Sequence, residues 1–290
     1  MLIEVENKFN LSYPPKYQLL KWVGSKHKSA LSITRNLPRH FNNYFEPFLG
    51  SGAILATISP KHGIGSDTFA PLIEIWQTLV SDPQSLIDWY AQRRNRLLSE
   101  SKEKVYVSVR DSYNADPNGP DFLFLSRSCY GGVIRFRKAD GYMSTPCGAH
   151  DPISVDSFEN RVKEWYRRLH HVTFLCCDYK EIFNQAKKGD LIYCDPPYSY
   201  SQGILYGAQS FRLAELLECI ENAKGKGVKV ALSIDGQKKS GDLLCDIPLP
   251  KNLFENEILI DCGISMLKRF QIQGKKAYGE QVLDRLLLTY

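Results

Sequence analysis

The chain has 290 residues, 43% of them hydrophobic, enough to bury one large core and to leave room for an inserted smaller unit. A formal net charge of +5 and a pI near 8.6 suit an anionic partner and equally an ordinary soluble protein, so the position of the charge has to decide. No stretch approaches the 18 apolar residues of a membrane span, and the opening "MLIEVENKFN" carries acids where a signal peptide needs basic residues. The expectation is a cytoplasmic protein with no membrane partner. The 8 cysteines include no CxxC pair or neighbouring histidine cluster at zinc spacing, so no metal is expected and the thiols read as reduced and mostly buried.

In chain order, "YFEPFLGSG" (44–52) reads as an aromatic strand closed by a glycine turn, and "AILATI" opens a helix that stops near Pro60. "HGIGSD" (62–67) is a second strand. From residue 81 to 169 the pattern changes to polar helical stretches, the turn-rich "YNADPNGPD", and a segment of Gly and Arg, which together predict an inserted domain. The strand rhythm then resumes with "HVTFLCCD", "DLIYCD" and "VKVALSI", unalternated apolar runs of the kind parallel sheets bury on both faces. Between the last two, Leu213, Leu216, Leu217 and Ile220 line one face of a helix that Ser210 can cap and Gly225 can end. The fold predicted is a doubly wound, mostly parallel α/β sheet, Rossmann-like, built from 1–80 and 170–290, with 81–169 as the insertion.

Ligands of such sheets lie at the carboxyl ends of strands, beside the point where strand order reverses. Glu46 through Gly52, Asp67, Asp178 and Asp195 stand at such ends. "GSGAIL" lacks the third glycine of a dinucleotide motif and the Lys-Ser/Thr of a P-loop, so neither chemistry fits. Asp67 is placed to take ribose hydroxyls, or alternatively to cap a helix. In "DLIYCDPPYSY" the two prolines cannot donate to a sheet ladder, so Pro196 and Pro197 end the strand and hold the Asp195 carboxylate in a rigid turn. With Tyr198 as a flat aromatic face, this acceptor-rich turn suits a planar heterocycle bearing an exocyclic amine. A turn without a ligand explains the prolines but not the acid and the aromatic together.

These blocks resemble the DNA adenine methylase (Dam) family of N6-adenine methyltransferases. The likeness runs from about residue 18 to the C-terminus and in family order: "LLKWVGSK" (19–26), "YFEPFLGSG" (44–52), "SD" (66–67), "FLFLSRSCYGGVIRFRKADGYMSTPCG" (122–148), "CCDY" (176–179), "YCDPPY" (193–198) and a late "GEQVLDRLLLTY". It implies S-adenosylmethionine as methyl donor, S-adenosylhomocysteine as product, and double-stranded DNA as substrate. It also implies that Trp22, Lys26, Glu46, Phe48, Gly50, Gly52, Asp67 and Asp195 contact the cofactor, and that Asp178 binds its adenine amine. Asp195, Pro196, Pro197 and Tyr198 would receive a target adenine flipped from the duplex. Without the resemblance Trp22 reads as an ordinary aromatic and Lys26 as a solvated charge.

The insertion resembles the family's mainly helical DNA-recognition domain. Arg127, Arg135, Arg137 and Lys138 fall in an acid-free stretch interleaved with Tyr130 and Phe136, and "ADGY" suggests the turn of a β-hairpin. A basic solvated loop is the plainer reading of the same residues. The family often has Asn where this chain has Phe69, Gly131 and Arg137, and the last two point away from a recognition sequence such as GATC. Cytosine also presents an exocyclic amine, so an N4-cytosine methyltransferase is one alternative, and a non-catalytic DNA-binding protein on a methyltransferase fold is another. The expected assembly is a monomer or weak dimer. Because the family includes members of restriction-modification systems, a separately acting cognate restriction endonuclease is a partner the resemblance allows.

Overall fold

The computed structural model describes residues 7–8, 12–197, 211–238, 249–264 and 281–290. A short ladder pairs β1 (Asn7–Lys8) with β2 (His40–Phe41), with helix α1 (Ala30–Thr34) between them in the chain. The main sheet then begins with β3 (Tyr44–Glu46), α2 (Ala53–Ile58), β4 (Gly63–Asp67) and α3 (Ala70–Ser81). Helices α4 (Pro83–Asn95), α5 (Lys102–Ala115), α6 (Gly119–Ser128) and α7 (Val155–Leu169) follow, and then β5 (Val172–Cys176), α8 (Tyr179–Gln185) and β6 (Leu191–Cys194). The chain closes with α9 (Leu213–Gly225), β7 (Lys229–Lys238), β8 (Asn256–Ile264) and β9 (Gln281–Leu288).

Seven strands form one sheet in the order β5-β4-β3-β6-β7-β9-β8. All neighbours from β5 to β7 are parallel, and β9 runs antiparallel between β7 and β8. From β3 the chain winds outward through β4 to β5, and then returns to the other side of β3 for β6 and β7. Strand order therefore reverses between β3 and β6, the position at which an open sheet leaves a crevice.

The central strand shows why the apolar runs were decisive. Leu191, Ile192, Tyr193 and Cys194 are all buried, so both faces of β6 are covered and no polar alternation is permitted. On one face, α8 and α9 bury Ile182, Phe183, Leu216, Leu217 and Ile220 against β6 and β7. On the other, α3 turns Leu72, Ile75, Trp76 and Leu79 inward at helical spacing, and Trp76 stacks on Phe174 of β5 and packs against Trp165 of α7. This second core runs without interruption into α4, α5 and α6 through Tyr90, Tyr106, Phe122 and Phe124. The helices between residues 81 and 169 thus share apolar packing with the sheet.

The helix ends differ from expectation at α9. Ser210 lies outside the described residues, and the N-cap position is Arg212, whose side chain makes no capping bond. Gly225 is the last helical residue, while Gly227 supplies the left-handed turn beyond it at φ +80°.

Candidate active site

The glycine turn after β3 and the proline turn after β6 meet at the strand-order reversal. They line one open cleft with the 22–26 loop, whose walls include Trp22, Lys26, Glu46, Phe48, Gly50 and Asp195. Gly50 adopts φ +47°, and a Cβ added there would lie 2.7 Å from the indole Nε1 of Trp22. The absence of a side chain is what allows the turn to nest under the indole. The carboxylate of Asp67 accepts from the Gly50 N–H at 3.2 Å, and also from the Phe69 N–H. Asp67 thus holds the glycine turn, and it makes no N-cap bond to α3, where the cap position is Phe69. Burial raises its pKa to about 6, against the pull of these N–H donors. Gly52 is the left-handed residue that starts α2, lying against Trp76. A serine bridge between Ser25 and Ser51, 2.8 Å apart, ties the 22–26 loop to the glycine turn.

Lys26 is 6% exposed and donates from Nζ to Oδ1 of Asp195 at 2.7 Å. Asp284 of β9 lies on the same ammonium at 3.5 Å. Burial works against the charged lysine, but the Asp195 and Asp284 carboxylates outweigh it and hold its pKa above the ordinary value. Glu46 is 3% exposed and accepts from the Tyr44 hydroxyl at 2.8 Å. Burial pushes its pKa up to about 8, opposed by that hydroxyl and assisted by the nearby charge of Asp195. At neutral pH the cleft floor therefore carries a neutral Glu46 beside an ion-paired Asp195. Pro196 is buried and Pro197 half-buried, while Tyr198 lies outside the described residues. Phe48 stacks on Tyr179 of α8, centroids 5.2 Å apart.

Asp178 does not line this cleft. It is the exposed N-cap of α8, accepting from Lys180 N at 2.9 Å while Glu181 reaches back to the Asp178 N–H, a reciprocal capping box.

The candidate DNA-contacting residues of the insertion separate into two groups. Tyr130, Arg135, Arg137 and Lys138 are exposed. Phe136 points the other way, packing edge-on against Phe69 at 5.8 Å. Antiparallel bridges join Cys129 to Cys147 and Phe136 to Met143, and Gly141 takes φ +70° at the tip, so the Asp-Gly turn forms as its chemistry dictates. Arg137 is held by Asp140 at 2.6 Å and over the Tyr142 ring. Arg127 departs from the expected outward role. Its guanidinium donates to Leu19 O at 2.8 Å and to Gln18 O, and burial together with Arg161 lowers its pKa to about 10. Arg161 and Trp165 donate to carbonyls of the same 17–19 segment.

Residues 22–261 match the family of D12 class N6 adenine-specific DNA methyltransferases. The chain belongs to that family. The methyltransferase is 27% identical over 230 residues to a DNA adenine methylase of Vibrio cholerae, a match covering 74% of this chain and 79% of the relative. It is 29% identical over 244 residues to a type II methyltransferase of Methanocaldococcus jannaschii, covering 74% and 82%. A type II methyltransferase of Lactococcus lactis subsp. cremoris is 24% identical over 304 residues, covering 98% of this chain and 97% of the relative. Adenine specificity of the family decides against the N4-cytosine alternative, and its enzymatic character against a purely binding protein. Among the described residues there is no group of three or more His, Cys, Asp or Glu that could hold a metal ion, and no helix is long and apolar enough to cross a membrane.

Sequence reasoning left Asp284 unassigned. It sits in β9 between Leu283 and Arg285, where an acid inside an otherwise largely apolar strand was the available signal.

Proposed function

We propose that the cleft at the β3/β6 reversal binds S-adenosylmethionine and an adenine extruded from double-stranded DNA, and that the Asp195–Pro197 turn receives the adenine's N6 amine. One observation carries this reading: the turn that bears Asp195 and the glycine turn capped by Asp67 open into one cleft, with Asp195 held by a buried ammonium. The cleft fits the cofactor on its own chemistry. The bare backbone of Gly50, the indole of Trp22, the hydroxyls of Ser25 and Ser51 and the carboxyl of Glu46 surround a space suited to an amino acid bearing a nearby positive sulfur. Trp22, Glu46, Phe48, Gly50, Gly52 and Asp67 would hold it, and when bound it supplies a methyl group already attached to a good leaving group. Asp178, committed to its helix cap, is the least suited of the expected contacts.

The residues of the chain then have the task of presenting the amine. The N6 lone pair of adenine is delocalised into its ring, so acceptors for its hydrogens favour a nitrogen that can attack. Asp195 accepts one N–H, and the Pro196 carbonyl, left without a ladder partner by the proline turn, accepts the other. Lys26 fixes Asp195 while this happens. Tyr198 is assigned the stacking face by the family resemblance alone.

The segment 81–169 is assigned to target recognition, with Tyr130, Arg135, Arg137 and Lys138 on the DNA side. Arg127 is assigned instead to holding the 17–19 segment against α6 and α7. The type II relatives make a separately acting restriction endonuclease a proposed partner. Calorimetry with S-adenosylmethionine and the protein alone tests the cofactor half: binding without DNA is expected, and no binding at millimolar cofactor overturns it. Asp195→Ala tests the other half. It should abolish methyl transfer with DNA affinity retained, because phosphate contacts supply most of that affinity, and substantial turnover removes Asp195 from the reaction.

A further inference from the structure

Asp284 stands on β9, far in sequence from both the 22–26 loop and the DPPY turn, yet its carboxylate reaches the same buried ammonium that binds Asp195. Lys26 Nζ is 2.7 Å from Asp195 Oδ1 and 3.5 Å from Asp284 Oδ2. Behind Asp284, the thiol of Cys262 on β8 donates to Oδ2 at 3.1 Å. Asp284 and Lys26 are each nearly sealed from solvent, at 4% and 6% exposure, so water does little to screen the pair. Among the described residues, the Lys26 ammonium therefore stands between two carboxylates, and of these Asp195 is the one in the substrate turn.

We propose that Asp284 is a positioning residue of the methyl-transfer site, sharing the Lys26 ammonium with Asp195 and so setting how much positive charge Asp195 feels. This rests on the reading of Asp195 as the acceptor for the target amine. A lysine paired with Asp195 alone would fix its carboxylate but also drain it, making it a weaker acceptor. The second carboxylate draws on the same ammonium, so Asp195 stays fixed and electron-rich together. Among the described residues, the titratable groups facing Asp195 also include Glu46 on β3 and Tyr193 and Cys194 of β6, the strand that leads into it, while Cys262 and Tyr193 face Asp284. Burial and the Asp284 charge hold the Cys262 thiol up at about 12, and burial raises Tyr193 and Cys194 well above their ordinary values, so these stay neutral through the working range. Glu46 titrates near 8, on the alkaline side, away from the acid limb.

The test is the pH dependence of the single-turnover rate of methyl transfer on preformed complexes of the full-length protein. Asp284→Asn removes the competing anion: the rate should fall about tenfold and the acid limb should move to lower pH by about one unit. Lys26→Met removes the cation and should move the acid limb the opposite way. Asp284→Glu keeps the charge and should return the limb to its wild-type position. A merely structural Asp284 would lower the rate or the melting temperature without moving the limb, and that result overturns the proposal. If Asp284→Asn fails to fold, the glutamate and methionine variants carry the test, and a limb that stays in place in Lys26→Met overturns it equally. Transfer that survives Asp195→Ala overturns the underlying reading instead, so the two failures are distinguishable.

Discussion

Replacing Glu46 by glutamine is expected to stabilise the protein, and to do so more strongly as the pH rises. The carboxyl is 3% exposed and its pKa stands at about 8 in the fold against 4.5 as the ordinary value, with burial as the main cause. An acid whose folded value is raised favours the native state below the ordinary value, and that advantage is lost as pH climbs toward the folded value. At pH 5 the unfolded chain gains less than about 1 kcal/mol by ionising this group, whereas at pH 7 it gains about 3 kcal/mol. Glutamine keeps an acceptor for the Tyr44 hydroxyl and has no proton to lose. The melting temperature of Glu46→Gln minus that of the wild type should therefore grow between pH 5 and pH 8 by roughly 4–8 °C for a chain of this size. Asp67, raised to about 6, adds a slope of the same sign that both proteins share. Thermal unfolding followed by circular dichroism at intervals across this range reads the difference directly. A gap that is the same at pH 5 and pH 8 would show that Glu46 ionises normally in the fold, and the neutral cleft floor would have to be abandoned.

Gly50→Ala places a Cβ 2.7 Å from Trp22 Nε1 on a backbone with φ +47°, so cofactor affinity measured by calorimetry should fall at least about tenfold. Undiminished affinity would mean that the glycine turn is no part of the cofactor site. Arg135→Ala should relax preference at one guanine-containing position, by about 1–3 kcal/mol, since an exposed Arg without an intramolecular carboxylate partner in the turn can pair with a base edge. Arg137→Ala, whose guanidinium is already engaged by Asp140 and Tyr142, should slow all sequences alike; rates on a substrate set varied at each position separate the two outcomes. If Arg135→Ala slows every substrate by one factor, it holds backbone and the reading role falls. Arg127→Ala should cost about 1–3 kcal/mol of stability by leaving the Leu19 carbonyl without its donor, with sequence preference intact. A changed preference at unchanged melting temperature would return Arg127 to the DNA surface.

What could be read from the chain alone divides along physical lines. "LIYC" had to be a strand covered on both faces because four consecutive buried residues leave no polar face, and the prolines after Asp195 had to stop it. The Asp-Gly turn and the inward Phe136 between two outward arginines follow equally from local rules, of turn chemistry and of alternation along extended chain. The partners of Lys26 do not. They lie 169 residues away in the turn after β6 and further still on β9, and only the order of strands in the sheet brings them to one ammonium. Arg127 and Arg135 look alike in sequence; what separates them is the packing of the 17–19 segment across α6 and α7, which offers carbonyls to the first and nothing to the second. Asp178 is the opposite case. The capping box was present in "DYKE" and forms as local rules dictate, whereas the cofactor contact implied for Asp178 rests on the family likeness.

The most direct measurement is mass spectrometry of nucleosides from double-stranded DNA incubated with S-adenosylmethionine and either the wild-type protein or Asp195→Ala. N6-methyladenine should form with the wild type and be absent with the variant. N4-methylcytosine in its place, or equal N6-methyladenine from both proteins, would contradict an adenine-specific transfer carried out at the Asp195 turn.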